Sequence, residues 1–432
     1  MKPISRPLGG LVTVLLVLVA LISPGAVQTD PTTDPVLVWN AIMLDTIDSQ
    51  NPFAQTRFAA ITQLAVFEAV NAITRDYSPY LGTIAAPTGA SAEAAAVAAA
   101  HSVLRHYFPE SAAALDAARA NSLAPIPDGQ PKEDGLAVGE AAAAEMIANR
   151  ASDGSGPPQF YVPPSANPNE WQTTPGCPPD GGILLHWRNL TPFGIQSNDQ
   201  FRSSPPPSIH SGEYARDFNE VKRVGELNSA ERPKDGADVA QFYTVGAAYP
   251  WNTAASQVSA EQGRSLSENA WAFALLNIAL SDGLASSIET KYHYVFWRPI
   301  TAIRGGDTDG NQRTEPDPAW TPLISTPCFP SYPSAHASGS YAARQVAEKV
   351  FGQRGHDITL SHPRFPEVTL HYTKFSQMTD DIDDARVYGG IHYSFDQEAG
   401  AQQGRQVASY ILRNQLQEVV EDDEVEVDDD DD

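Results

Sequence analysis

The run KYHYVFWRP, residues 291–299, sets Lys291 and Arg298 seven positions apart in an aromatic segment. In a helix that spacing is two turns, so both cations project from one face. Two such cations repel each other unless an anion sits between them. Downstream, PSYPSAH (330–336) brings the chain in extended through its prolines and places Ser334 to open a helix. A helix N-terminus offers unpaired N–H groups and the positive end of the dipole, a natural anion site, with His336 in its first turn. In RVYGGIHYSFD (386–396), His392 and Asp396 are four apart. The carboxylate can accept the Nδ1–H of the imidazole, which orients the ring and leaves Nε2 free as ligand or nucleophile. Gly389 and Gly390 let the chain bend so that Arg386 turns inward. Taken singly, these segments read as a solvated basic face, a serine cap beside a surface histidine, and a surface His–Asp pair.

Working outward, helical periodicity dominates. Pro35–Ile47 is apolar, and Phe53–Ile73 is a strong amphipathic helix with Phe58, Ile61, Leu64, Phe67 and Val70 at three-residue steps. Ser91–Tyr107, Ala112–Asn121 and Gly135–Asp153 continue in the same manner, without the period of two that strands need. From 154 to 207 proline and glycine take over. So long a loop is unusual unless functional or braced. Helical texture returns at Ser211–Leu227, Gly236–Val245, Glu261–Ile278 and from Asp282 to Trp297, where Pro299 is expected to break it. After a proline-rich stretch at 316–333, Ser334–Phe351, Asp381–Gly389 and Tyr393–Leu416 read as the last helices. The fold class is mainly α and bundle-like, with an N-terminal helical half (35–153), a connecting loop (154–207) and a C-terminal half (208–416) that carries the three segments.

Composition narrows the function. Of 432 residues 42% are hydrophobic, ample for a core, and 35 are proline, which fits long ordered loops. Net charge is −25; eleven acidic residues and no basic ones follow Leu416, so 417–432 reads as a disordered acidic tail. The remainder is still acidic, which argues against non-specific nucleic-acid binding. Lys2 and Arg6 precede an apolar run, Leu8–Ile22, and small residues up to Ala26. Residues 1–26 therefore read as a signal peptide or, uncleaved, an anchor; with no later run of spanning length, the mature chain is expected to be secreted or periplasmic with no membrane span. Cys177 and Cys328 form either one disulfide or two buried thiols.

The three segments together resemble the vanadium-dependent haloperoxidases and the acid phosphatases that share their fold. The family pattern is Lys, six residues, Arg-Pro; then Pro-Ser-Gly-His; then Ser-Arg, five residues, His, three residues, Asp. All spacings are kept here, over about a quarter of the chain. Ala335 replaces the family glycine and Ala385 the family serine. Alanine keeps the backbone N–H, although its methyl crowds the pocket. The resemblance implies two packed helical bundles with long Pro/Gly-rich loops, the second bundle holding an oxyanion. Lys291, Arg298 and Arg386 would neutralise its oxygens, Ser334 and the Ala335 N–H would complete the cage, and His392 would bond the central atom. Asp396 would hold His392 in its tautomer, and His336 would act as general acid/base.

Vanadate and phosphate are both tetrahedral oxyanions, so two activities follow from one pocket. With vanadate as cofactor, the resemblance implies a peroxidase that oxidises halide with hydrogen peroxide, giving hypohalous acid or a halogenated small organic acceptor. As an acid phosphatase, the chain would act through a phosphohistidine at His392. A non-catalytic anion-binding homologue is the third class. The flanks Phe296–Pro299 and Gly390–Tyr393 look more like the exported haloperoxidase branch. Phe329 stands where chloroperoxidase-like members carry Phe, which makes it a halide-site candidate, whereas Ile288 stands where the fungal type has Trp; halide choice stays open. Asp307–Asn311 resembles the start of a calcium loop but lacks its later ligands. The other histidines have no ligand-like partners at useful spacing.

Overall fold

The computed structural model describes residues 34–419; the signal-peptide stretch and most of the acidic tail lie outside them. Residues 417–419 run against 76–78, with the Val419 N–H donating to Asp76 O (2.9 Å) and the Ser78 N–H to Gln417 O (2.7 Å). The folded chain thus extends past the point where the tail is expected to begin.

Capping residues set where the first helices start. Asp34 caps α1 (Pro35–Ile47), Asn51 caps α2 (Pro52–Thr74) by accepting from the Phe53 and Ala54 N–H groups, and Ser91 caps α3 (Ala92–Tyr107). With α4 (Ala112–Leu123) and α5 (Gln130–Arg150) they form the first helical group, in which α2, α3 and α5 pack on one another. The second group begins with α6 (Gly212–Val224), α7 (Gly236–Phe242) and α8 (Ala248–Gln262). A Ser265/Glu268 capping box then opens α9, Leu266–Tyr294.

Helix α9 is the shared spine, packing on α2 at one side and on α11 and α13 at the other, so one apolar core runs through both groups. The sequence reading splits it near Asp282, and the structure corrects this. Asp282 is wholly buried and accepts N–H bonds from Phe193, Gly194 and Ile195 (2.7, 2.6 and 3.0 Å), pinning the 154–207 stretch to the spine. Once continuous, α9 is long and apolar enough to cross a membrane, the one such helix among the described residues, yet it is almost entirely buried in the bundle.

Beyond α10 (Pro299–Arg304) come α11 (Ala335–Phe351), the hairpin β1–β2 (Ile358–His362 and Phe365–Tyr372), α12 (Phe375–Tyr388) and α13 (Ser394–Asn414). Pro299 occupies the first turn of α10, where a missing N–H costs nothing, and so opens a helix where it was expected to end one. The hairpin was not anticipated. It pairs Ile358 with Tyr372 and Leu360 with Leu370, burying Ile358, Leu360 and Tyr372 on one face. Gly400 and Gly404 bring α13 onto the start of α11, where a Cβ on either would collide with the Ser334 and Ser338 carbonyls. That close approach fixes the helix end that carries the site. Cys177 and Cys328 are disulfide-bonded across 151 positions, tying the connecting stretch to the loop before α11. Closing so long a loop stabilises the fold by roughly 5 kcal/mol in chain-entropy terms.

Candidate active site

All three segments meet at the junction of α9, α11, α12 and α13, by a different route from the one their spacing suggests. Helix α9 stops at Tyr294, and Val295 caps it in the left-handed region (φ 54°). Lys291 and Arg298 therefore do not share a helical face. The reversal at Val295, a β-branched residue held in a conformation that costs such side chains about 1–3 kcal/mol, turns Arg298 back toward the end of α9. The Trp171 N–H holds that turn through the Val295 carbonyl (2.7 Å).

Lys291 is fully buried, and its ammonium donates to three carbonyls: Pro330 (3.1 Å), Ser331 (2.6 Å) and Pro333. Its three protons are all engaged, so it gives the site its charge while bracing the 330–333 loop. Arg298 donates through Nε to Phe329 O (2.8 Å) and through Nη1 to Ile391 O (2.8 Å), and Nη1 also lies 3.0 Å from His392 Nε2. Arg386, in the last turn of α12, donates through Nη1 to Tyr243 O (2.8 Å). Ser334 caps α11 by accepting from the Ala337 N–H (3.3 Å). The N–H groups of Ala335 and His336, in the first turn, lie beyond any intrahelical bond.

His392 precedes α13, with Asp396 inside its first turn. Nδ1 sits 2.7 Å from Asp396 Oδ2, and the same oxygen accepts from Ser331 Oγ (2.5 Å) and from the Tyr393 N–H (3.3 Å). With its proton on Nδ1, the ring turns the Nε2 lone pair toward Arg298 and the cavity. Ser331 and Tyr243 were missed by sequence reasoning. Ser331 lies within a quoted segment, but nothing local links it to a carboxylate 65 positions on.

The electrostatics are lopsided. Lys291, Arg298 and Arg386 are buried, and Asp396 is the carboxylate that faces Lys291 and Arg298. Burial first, then the neighbouring cations, push Lys291, His392 and His336 well below their ordinary values. Burial raises Asp396 to about 6, opposed by the Ser331 hydrogen bond and by Lys291 and Arg298. Arg298 Nη2, Arg386 Nε and His336 Nε2 are buried without a protein partner. Buried cations and orphaned donors on this scale are costly unless an anion answers them. A tetrahedral oxyanion fits the donor set: guanidinium groups for its oxygens, a helix N-terminus, and one imidazole lone pair for its central atom.

Above these groups lies a cavity of about 470 Å³ that His336, Arg386 and His392 line together with Phe329. The Phe329 ring stands 5.4 Å from Lys291 Nζ and 5.0 Å from the Arg298 guanidinium, edge-on to Phe53. Ile288 is buried in the wall behind. His293 is exposed and meets the Tyr294 ring edge-on. The calcium-like segment is a closed turn in which Asp309 accepts from the Asn311 N–H and Thr314 Oγ1.

Residues 271–421, which contain the whole constellation, match the family model of the VCPO second helical-bundle domain. In this second helical-bundle domain the chain is similar to the vanadium haloperoxidases. A vanadium chloroperoxidase from Curvularia inaequalis is 32% identical over 92 residues, 19% of this chain and 14% of that relative's length. A crystal structure of a bacterial vanadium-dependent iodoperoxidase shares the fold at TM-score 0.73 and 24% identity, covering 90% of this chain and 98% of that one. An apo-type bacterial vanadium-dependent chloroperoxidase aligns at TM-score 0.69 and 16% identity, over 85% and 96% of the two chains.

Within this site, Asp396 has two functions that one substitution separates. Asparagine can still cap α13, but it lacks the charge that holds the Nδ1 proton. Asp396→Asn is expected to weaken oxyanion binding about 10–100-fold with little change in melting temperature. Equilibrium dialysis checks it, and unchanged affinity would reduce Asp396 to a helix cap.

Proposed function

We propose that the chain is an exported, vanadate-dependent haloperoxidase that oxidises halide with hydrogen peroxide. The observation that carries this reading is the His392 Nε2 lone pair, fixed by Asp396 and facing buried, under-compensated cations. Arg298 and Arg386 would bind the oxyanion's oxygens, Ser334 and the Ala335 N–H would close the cage, and His392 would ligate its central atom. Lys291 would add charge and hold the loop that aims α11. When bound, vanadate supplies the Lewis-acid centre at which peroxide becomes electrophilic toward halide. His336 Nε2, neutral because burial disfavours its cation, would take a proton from incoming peroxide and return one as water leaves. Export rests on the N-terminal apolar run and on the disulfide, which belongs to an oxidising compartment.

The test is an assay on protein stripped of oxyanion and then reloaded with orthovanadate. Peroxide-dependent dye bromination or triiodide formation that requires vanadate supports the reading. Phosphomonoester hydrolysis without halide oxidation, inhibited by vanadate, would instead make His392 a phosphate-accepting nucleophile. A pH effect accompanies binding. Burial first, then the neighbouring cations, hold His336 down; the anion offsets the cations, so its pKa rises on binding and a proton is taken up below the bound-state value, above which the ring is neutral and able to accept one from peroxide. Affinity, corrected for the anion's own ionisation, should fall up to about tenfold per pH unit as pH rises through the bound-state value. Calorimetry in buffers of different ionisation heat measures that uptake, which His336→Ala should abolish.

A further inference from the structure

Arg386 is seated differently from the other two cations of the site. Lys291 donates to three carbonyls and Arg298 to two. The Arg386 guanidinium has one protein hydrogen bond among the described residues, from Nη1 to the Tyr243 carbonyl (2.8 Å). The residue is buried, and its Nε has no partner. A long side chain with several rotatable bonds keeps one position only when its far end is fixed. The place of this guanidinium therefore depends on where Tyr243 lies.

Tyr243 caps the C-terminal end of α7, is 1% exposed, and is held by a chain of side-chain bonds. Its hydroxyl lies 2.8 Å from that of Tyr372 in strand β2, and the Tyr372 hydroxyl donates to Asp381 Oδ2 (2.7 Å) in α12. A carboxylate only accepts, so Tyr372 gives its proton to Asp381 and Tyr243 donates to Tyr372. Asp381 and Arg386 stand on the same helix, and the bonds form a closed circuit. It runs from α12 to Tyr243 through Arg386, and from Tyr243 back to α12 through the hairpin. On the other side of this turn Gly246 lies against Gln55 and Pro52 of α2, where a Cβ would collide. Between them the Val245 backbone meets the His336 ring and favours its charged form. The 243–246 turn thus touches two groups that face the cavity, with α2 blocking it on one side and the tyrosine pair holding it on the other.

We propose that Tyr372 and Asp381 are positioning residues of the oxyanion site, acting through Tyr243 to hold Arg386 toward the cavity. This rests on reading the constellation as an oxyanion site, and it gives the hairpin a function beyond packing. Neither residue touches the anion. Removing the Tyr372 hydroxyl leaves the buried Tyr243 O–H without an acceptor, which is costly enough to shift it. The shift reaches Arg386 through its single hydrogen bond.

Tyr372→Phe keeps the ring and removes both bonds. In oxyanion-free crystals of this variant the Arg386 guanidinium should have left the Tyr243 carbonyl; a contact still at hydrogen-bond distance overturns the proposal. In solution, orthovanadate affinity measured by equilibrium dialysis should fall about tenfold. Tyr243→Phe, which cuts the same chain from its other end, should match that loss and replaces the first variant if it folds poorly. Two comparisons separate positioning from general destabilisation. Tyr341→Phe removes a similar hydroxyl bond to α12, at Asp383 (2.8 Å), without touching Tyr243, and should change affinity less than about twofold. In an Arg386→Ala background Tyr372→Phe should have no further effect, because its route to the anion is already gone. An equal loss in Tyr341→Phe, or an undiminished effect without Arg386, overturns the proposal. If the unsubstituted protein binds neither vanadate nor phosphate while the variant's crystals show the displaced guanidinium, the positioning role stands and the oxyanion reading falls.

Discussion

Replacing His392 with alanine is expected to lower vanadate affinity by more than about 100-fold and to abolish vanadate-dependent halide oxidation. The other groups that face the site, Arg298, Arg386, Ser334 and the first N–H groups of α11, reach it as donors. Nε2 of His392 is the lone pair held in place by a carboxylate, with Nδ1 2.7 Å from Asp396. Without it the cage still attracts an anion, weakly and with no bond to the central atom. The fold should survive, because α13 keeps its Asp396 cap and its close packing on α11. Equilibrium dialysis with orthovanadate, beside circular dichroism, separates loss of the ligand from loss of the fold. Undiminished retention would remove His392 from the site.

His336→Ala should behave in the opposite way. Vanadate retention is expected to fall only modestly, while peroxide turnover drops about 10²–10⁴-fold, the usual cost of losing a general acid–base group. His336 Nε2 is buried, has no protein partner and lines the cavity beside Arg386 and His392. In the proposed mechanism its contribution is to move a proton, while the guanidinium groups hold the anion. Stopped-flow kinetics on loaded protein, with dialysis run in parallel, checks the split. If both parameters fall together, His336 holds the anion rather than serving its chemistry.

What the sequence reveals of this molecule follows the range of the interactions involved. Helices α2, α3 and α11 are legible because local signals agree: a cap residue, an apolar stripe at three- and four-residue steps, and few β-branched interruptions. In isolation Ser281-Asp282-Gly283 is polar and flexible, which favours a break that α9 does not have. Its real partners, Phe193–Ile195 and α11, are remote in sequence. The hairpin at 358–372 is hard to read from sequence because its alternation is short and surrounded by helical texture.

The same distinction holds at the site. That Lys291, Arg298, Ser334, His336, Arg386, His392 and Asp396 come together is what the family resemblance of the three segments implies, but the manner of their meeting is not. A helical face for Lys291 and Arg298 assumes that α9 continues, whereas Val295 turns the chain back. The engagement of Lys291 with three carbonyls depends on where the 330–333 loop comes to lie. The Ser331 bond to Asp396 spans 65 positions and has no local signature.

The central claim is that this constellation holds vanadate on His392, and diffraction at the vanadium absorption edge tests it most directly. Crystals of the stripped protein, soaked in orthovanadate, should show one strong anomalous peak bonded to Nε2 of His392. Nη1 of Arg298 should have moved from that nitrogen to an oxyanion oxygen, with Arg386, Ser334 and the Ala335 N–H around the remaining oxygens. A peak elsewhere, or none while Arg298 still contacts His392, would contradict the account.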